Sequence, residues 1–299
     1  MSKRQWDGAE IADQQGRVMI VTGSSSGIGK EAVKVISSKR AKVIMAVRNV
    51  DKGKEAAIEI KKEFPQANID VRKLDVADLD SVKAFAHSFL EDYDYLDILI
   101  NNAGIMYTPY SQTADGFENQ LGTNHLGHFA LTGLLMPALK KTARSRIVVL
   151  SSSAHMMGKI NFDDLNWEKR KYSTNQAYAD SKLANLYFTY ELVRKLNSEG
   201  GHPKVVAAHP GIAATDLQRH SAFLRGITKL ISQHASMGAL PTLRAAFDEE
   251  AKSGDFYGPS GMMNIKGYPI VHPSSKSSHD EKNAKQLWNR SEEMTGVIF

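Results

Sequence analysis

Residues 17–38 read RVMIVTGSSSGIGKEAVKVISS, and the fold follows from how this stretch divides. Residues 17–23 are apolar and β-branched on consecutive positions, the pattern of a strand buried on both faces. Residues 30–38 carry apolar side chains at helical spacing. Between them, Thr22-Gly-Ser-Ser-Ser-Gly-Ile-Gly29 is a glycine turn. Gly23, Gly27 and Gly29 permit a tight reversal and the approach of a pyrophosphate to the N–H groups and positive dipole end of the following helix. The spacing is G-x-x-x-G-x-G, which departs from the general G-x-G-x-x-G dinucleotide fingerprint. Residues 23–27 also satisfy G-x-S-x-G, the nucleophile elbow of α/β-hydrolases, with Ser25 as nucleophile. That second reading leaves Gly29 without a task and finds no acid and histidine motif downstream.

The same alternation continues along the chain. Strands are expected at 42–48, 68–76, 97–101, 146–151 and 204–208, and helices at 27–38, 51–63, 78–91, 115–140, 176–198 and 238–252. Strand and helix in turn predict an α/β fold, a doubly wound parallel sheet with helices on both faces and right-handed crossovers. No repeat or Pro/Gly-rich linker divides the chain, so residues 1–299 are expected to form a single domain, with 1–16 as an N-terminal extension. Two stretches break the alternation, an insertion at 154–175 and a segment at 213–237. Long excursions at the carboxyl ends of strands shape ligand pockets.

Composition bounds the rest. The 299 residues are 42% hydrophobic and 24% charged, which excludes intrinsic disorder. The 38 basic and 33 acidic residues give a net charge of +5, but the basic residues are scattered, so no nucleic-acid partner is expected. Zero cysteines exclude disulfides, thiolate zinc sites, thiol nucleophiles and iron–sulfur clusters. Residues 1–16 hold Trp6, Asp7, Glu10 and Asp13 with no apolar leader, and no apolar run reaches about 18 residues, so a cytoplasmic protein without a membrane span is expected.

Three further groups fall at the same sheet edge as the glycine turn. Tyr178 and Lys182 stand four residues apart on one helix face, where an ammonium lowers the pKa of a phenol and makes it a usable acid or base. Ser151, Ser152 and Ser153 end the fifth strand, and Asn101-Asn-Ala-Gly104 ends the fourth. Together with His209-Pro-Gly211 these motifs resemble the short-chain dehydrogenase/reductase family, in order and over most of the chain. Asn124-His-Leu-Gly-His-Phe129, Ser181-Lys-Leu-Ala-Asn185 and the 25 residues between Ser152 and Tyr178 resemble its retinol dehydrogenase-like and protochlorophyllide reductase-like branch.

The resemblance implies a Rossmann fold and hydride exchange between a nicotinamide and a carbonyl or carbinol carbon. Tyr178 would transfer the proton, Ser152 hold the substrate oxygen, Lys182 lower the Tyr178 pKa and hold the ribose, and Asn124 support a water-linked proton path. Ser151 and Ser153 remain alternatives to Ser152, and His125 and His128 read as structural. The implied cofactor contacts are Gly23, Ser25, Ser26, Gly27, Ile28, Gly29, Asp75, Val76, Asn102, Ala103, Gly104, Tyr178, Lys182, Pro210, Gly211 and Thr215. The end of the second strand reads Ala46-Val-Arg-Asn49, with no carboxylate to meet a ribose 2′-OH. Arg48 offers its guanidinium fork to a 2′-phosphate instead, so NADP(H) is the expected cofactor.

After Thr215, Leu217, Leu224, Ile227 and Ile231 recur at helical intervals among basic residues, which reads as a lid over the site or as a membrane-surface helix. With Ile105, Met106, Met156 and Met157 at the strand ends, the pocket is expected to be apolar and to take a hydrophobic ketone, aldehyde or secondary alcohol. The long interval between Ser152 and Tyr178 favours a monomer or homodimer. A non-catalytic dinucleotide-sensing protein and a Ser25 hydrolase are the alternatives.

Overall fold

The structure, a computed structural model, describes residues 5–211, 234–261 and 264–299. Its strands are β1 (Val18–Thr22), β2 (Lys42–Val47), β3 (Asn68–Lys73), β4 (Ile98–Asn101), β5 (Arg146–Leu150), β6 (Lys204–Ala208), β7 (Phe256–Pro259) and β8 (Pro269–His272). The helices are α1 (Gly27–Ser38), α2 (Val50–Glu63), α3 (Leu79–Asp92), the single turn α4 (Asn119–Leu121), α5 (Gly127–Lys140), α6 (Thr174–Asn197), α7 (Ala235–Phe247) and α8 (Glu281–Thr295). A π-helical turn, Gly122–Leu126, joins α4 to α5, and a 3-10 turn, Ser153–Met157, follows β5.

One sheet runs in the order β3-β2-β1-β4-β5-β6-β7-β8, parallel except for β8, which is antiparallel to β7. Alternate residues of each central strand enter opposite cores, as the period of two requires. Met19, Val21, Val43, Met45, Ile98 and Ile100 pack on the side of α1, α2 and α7. Val18, Ile20, Ile44, Leu99, Ile147 and Val149 pack on the side of α3, α5 and α6. Burying each such side chain contributes about 1.5–3 kcal/mol. The chain order reverses between β1 and β4, where Val21 pairs with Met45 on one side and Ile100 on the other. Such a reversal sends the two connections to opposite faces and opens a crevice at the strands' carboxyl ends.

Three expectations are corrected. The strand expected at 68–76 stops at Lys73, because the Asp75 carboxylate accepts the Ala77 N–H at 3.1 Å and turns the chain. The helix expected at 115–140 starts only at Asn119, where the Glu118 carboxylate caps the N–H groups of Gln120 and Leu121, and it passes through the π turn. The helix expected at 238–252 is Ala235–Phe247, capped by His234. β7, β8 and α8 had no counterpart in the sequence reading. Residues 213–233 of the expected lid, with Thr215, lie outside the described residues.

The N-terminal extension is docked on the molecule, with Ile11 buried against the α1 side of the sheet. The insertion is pinned by polar ties. Arg170 stacks on Trp167 at 3.5 Å and reaches the Asp164 carboxylate, while Tyr172 donates to Glu118 at 2.8 Å. Across α5 and α6, Trp288 of α8 and Phe299 lie against Phe129, with ring centroids 5.1 and 4.9 Å away. No helix among the described residues is long and apolar enough to cross a membrane.

Candidate active site

The glycine turn is held against the end of β4. Gly23 has φ +64°, and a Cβ there would stand 2.7 Å from the Ala103 Cα. At Gly29 a Cβ would stand 2.6 Å from Asn102 Nδ2 and 2.7 Å from the Gly23 carbonyl. Both positions therefore need glycine for contact, and Gly23 needs it for conformation as well. Ser26 starts α1 without capping it through its side chain, and no side chain among the described residues hydrogen-bonds the N–H groups of the first helical turn. Ser24 donates to the Val21 carbonyl, and no histidine among the described residues hydrogen-bonds to Ser25. A hydrolase elbow requires such a base.

Thr22 is the node that joins β1 to β4. Its hydroxyl accepts the N–H groups of Asn102 and Ala103, each at 2.9 Å, and lies 3.0 Å from His128 Nε2. His128 Nδ1 donates to the Asn124 carbonyl at 3.1 Å, so neutral His128 accepts the Thr22 proton at Nε2. Burial holds the His128 pKa down at about 4 and that of His125 at about 3. Both are structural, as expected, and His125 Nε2 meets Ser291 Oγ at 2.8 Å. Asn102, read as a cofactor contact, spends its amide nitrogen on the carbonyls of Thr22 and Gly23 at 2.7 and 3.3 Å.

Ser152, Tyr178, Lys182 and Asn124 converge beyond the ends of β4 and β5. Tyr178 and Lys182 lie one turn apart on α6, both buried, and the Ser152 side chain is close enough to the Tyr178 phenol to pull its pKa down. Ser151 instead donates to the Lys182 carbonyl at 2.8 Å and anchors α6 to β5. Lys182 Nζ donates to the Leu150 carbonyl at 3.3 Å. Asn124 accepts the Ile105 N–H at 2.8 Å and donates to the Ile105 carbonyl and Ser181 Oγ at 3.0 and 2.9 Å. Its amide is fully engaged in clamping the loop after β4 to α6. A Cβ on Gly104 would stand 3.6 Å from Lys182 Nζ, so this glycine keeps the main chain close beside the ammonium.

The electrostatics correct one expectation. Burial pushes the Tyr178 pKa up, against the Ser152 hydrogen bond that pulls it down, and Tyr107 adds to the rise. Lys182 stands 5.7 Å from the phenol ring centroid, and burial lowers its own pKa to about 8. Desolvation thus outweighs the expected lowering of the phenol by the lysine.

The remaining residues are more dispersed. Arg48 is exposed just beyond β2, and Lys73 Nζ donates to its carbonyl at 2.6 Å. Val76 is buried, its carbonyl pressed against Gly127. Gly211 has φ +68° and follows Pro210 beyond β6. Met106 packs on the cluster of Ala154, Tyr178 and Ala179, whereas Met156 and Met157 are exposed. The sequence reading missed three neighbours of the site: Lys73, Tyr107 and His155. Tyr107 lies edge-on to Tyr178, and His155 bridges the Ser152 carbonyl at 2.6 Å and the Ser275 N–H at 3.0 Å. Lys73 reaches this edge because it pairs with Val47 in the parallel register of β2 and β3.

Residues 17–222 match the family model described as short chain dehydrogenase. Human retinol dehydrogenase 12 is 44% identical over 287 residues, spanning 94% of this chain and 87% of that protein. The solved structure of an uncharacterised protein from Mycobacterium paratuberculosis superposes with a TM-score of 0.84 at 40% identity, covering 99% of both chains. A short chain dehydrogenase from Escherichia coli CFT073 complexed with NADPH is 25% identical, with a TM-score of 0.65 over 81% of this chain and 96% of that one.

Proposed function

This chain belongs to the short chain dehydrogenase family of oxidoreductases, and from that premise we propose that it exchanges a hydride between NADP(H) and a hydrophobic alcohol or the matching aldehyde or ketone. The observation that carries the reading is the meeting of Ser152, Tyr178 and Lys182 at the carboxyl edge of the sheet. Binding a dinucleotide without turnover has no use for the Ser152 hydroxyl or the Tyr178 phenol, which argues against a purely sensing role.

The residues present fit a nicotinamide dinucleotide. Gly23 and Gly29 leave a cradle that a Cβ would fill, next to uncapped N–H groups at the start of α1. Exposed Arg48 meets no carboxylate among the described residues, and it supports a 2′-phosphate. The NADPH complex of the Escherichia coli protein supports the same choice. When bound, the nicotinamide supplies or receives the hydride. In carbonyl reduction Tyr178, kept protonated by burial, gives its proton to the substrate oxygen while Ser152 donates a hydrogen bond to that oxygen. Lys182, charged below about pH 8, favours the phenolate that the transfer leaves behind. Asn124 holds the loop beside these groups.

The name of the human relative supports a retinoid-like substrate, and the apolar wall of Met106 and Tyr107 is consistent with it. Packing of α8 and Phe299 across α5 supports a monomer or homodimer rather than assembly through that face. The function is tested by turnover with NADPH or NADP+ over retinoids, terpenoid and aromatic carbonyls and alcohols, sugars and hydroxy acids. Higher kcat/KM on an apolar carbonyl or alcohol than on every sugar and hydroxy acid is expected, and the reverse ranking contradicts the proposal.

A further inference from the structure

We propose that Tyr107 is a specificity-determining residue, its ring forming one wall beside Tyr178 that favours substrates whose reacting carbon is joined to a flat unsaturated group. The proposal rests on the oxidoreductase reading above. Tyr107 is a bulky residue in the left-handed region, with φ +55°, a conformation that asparagine or glycine adopts at far less cost. The surroundings enforce it. Its N–H donates to Gln120 Oε1 at 2.9 Å, Gln120 Nε2 donates to Tyr172 Oη at 2.9 Å, and Tyr172 donates to the buried Glu118 carboxylate at 2.8 Å. On the other side, Ile105 is clamped through both main-chain polar groups by Asn124.

What this chain of contacts fixes is a ring. The Tyr107 and Tyr178 centroids are 5.0 Å apart with planes at 64°, an edge-to-face pair. Tyr107 is only half-buried, which leaves it surface that a ligand can meet. A substrate oxygen that takes the Tyr178 proton lies about 2.7 Å from that hydroxyl, which carries the carbon chain behind it past the Tyr107 ring. A flat π-system packs on such a ring over its whole face, whereas a saturated chain meets it with fewer atoms and no favourable quadrupole. The hydroxyl of Tyr107 is not needed for this, and burial of that group raises its pKa and leaves it neutral.

The test compares NADPH-dependent reduction of cinnamaldehyde with that of 3-phenylpropanal, which has the same length but a saturated link to the carbonyl. Taking the ratio of kcat/KM values within each variant cancels the intrinsic reactivity of the aldehydes. The ratio should fall about tenfold in Tyr107→Leu and Tyr107→Asn, and should stay at the parental value in Tyr107→Phe. NADPH affinity, measured by fluorescence titration, should be unchanged in all three. Tyr107→Asn suits the left-handed backbone, so it guards against an effect of misfolding. A ratio within twofold of the parental value in the Leu and Asn variants overturns the proposal, as does its loss in the Phe variant or loss of NADPH binding in Tyr107→Asn. A parent that binds NADPH but reduces no carbonyl or oxidises no alcohol removes the oxidoreductase reading and this proposal together. Parental turnover with an unmoved ratio removes only the role of Tyr107.

Discussion

Burial acts on Tyr178 and Lys182 in the same chemical sense, favouring the neutral form of each, so it raises one pKa and lowers the other. For carbonyl reduction this keeps the proton donor loaded across the neutral range and makes Lys182 the group that titrates first. Turnover should be level below pH 8 and fall above it as the Lys182 ammonium is lost, and Lys182→Met should remove that descending limb together with most of the activity. A pH profile that stays flat to pH 10 contradicts the assignment. Arg48 carries a second prediction. Arg48→Asp places a carboxylate where a 2′-phosphate is expected, and the ratio of NADPH to NADH kcat/KM should drop by at least about tenfold, since one charge-assisted bond is worth roughly 1.5–3 kcal/mol. An unchanged ratio sinks the NADP(H) reading. At this scale the short motifs were legible because Tyr178 and Lys182, or Asn101 to Gly104, are neighbours in the sequence. Tyr107 and His155 were not, since what each does depends on partners far along the chain, such as Ser275 for His155.

Elements explain why the motif glycines resist substitution. The turn between β1 and α1 is pressed so closely on Asn102 that Gly29→Ala brings its new carbon within 2.6 Å of the amide and 2.7 Å of a carbonyl. The turn must shift, at a cost of about 1–3 kcal/mol. A lower Tm together with weakened NADPH binding is expected, and an alanine variant with parental values for both contradicts the packing account. The central strands were legible because they are buried on both faces and so apolar without interruption, as at Val18–Thr22. β8, by contrast, lies at the sheet's edge with Ile270 and Val271 exposed, and α8 is mostly polar apart from the stripe containing Ala284, Leu287 and Trp288. Neither offers a long apolar run. The π turn at Gly122–Leu126, which carries the Asn124 side chain that clamps Ile105, has no periodic signature.

Across the whole molecule, the sheet order reverses between β1 and β4, the place where such sheets bind ligands, and buried polar side chains, histidines among them, pack beside it. Those histidines set the acid limit of stability. His125, His128 and His209 have folded pKa values lowered by burial to about 3, 4 and 3 from an ordinary 6.5, so between those values and 6.5 the unfolded chain binds more protons. Their contribution is complete above pH 6.5 and is lost as pH falls toward 4, on the order of 3 kcal/mol for His128 alone. Tm should therefore decline from pH 6.5 to 4, and His128→Gln should flatten part of that decline; an identical slope in the variant contradicts it. In the proposed reaction the molecule moves a hydride while Tyr178 moves the proton. Its most direct test is Tyr178→Phe, with turnover followed by nicotinamide absorbance and NADPH binding titrated in the same preparation. Turnover should fall about 10²- to 10⁴-fold with NADPH affinity retained, and near-parental turnover in the variant would contradict the role of Tyr178.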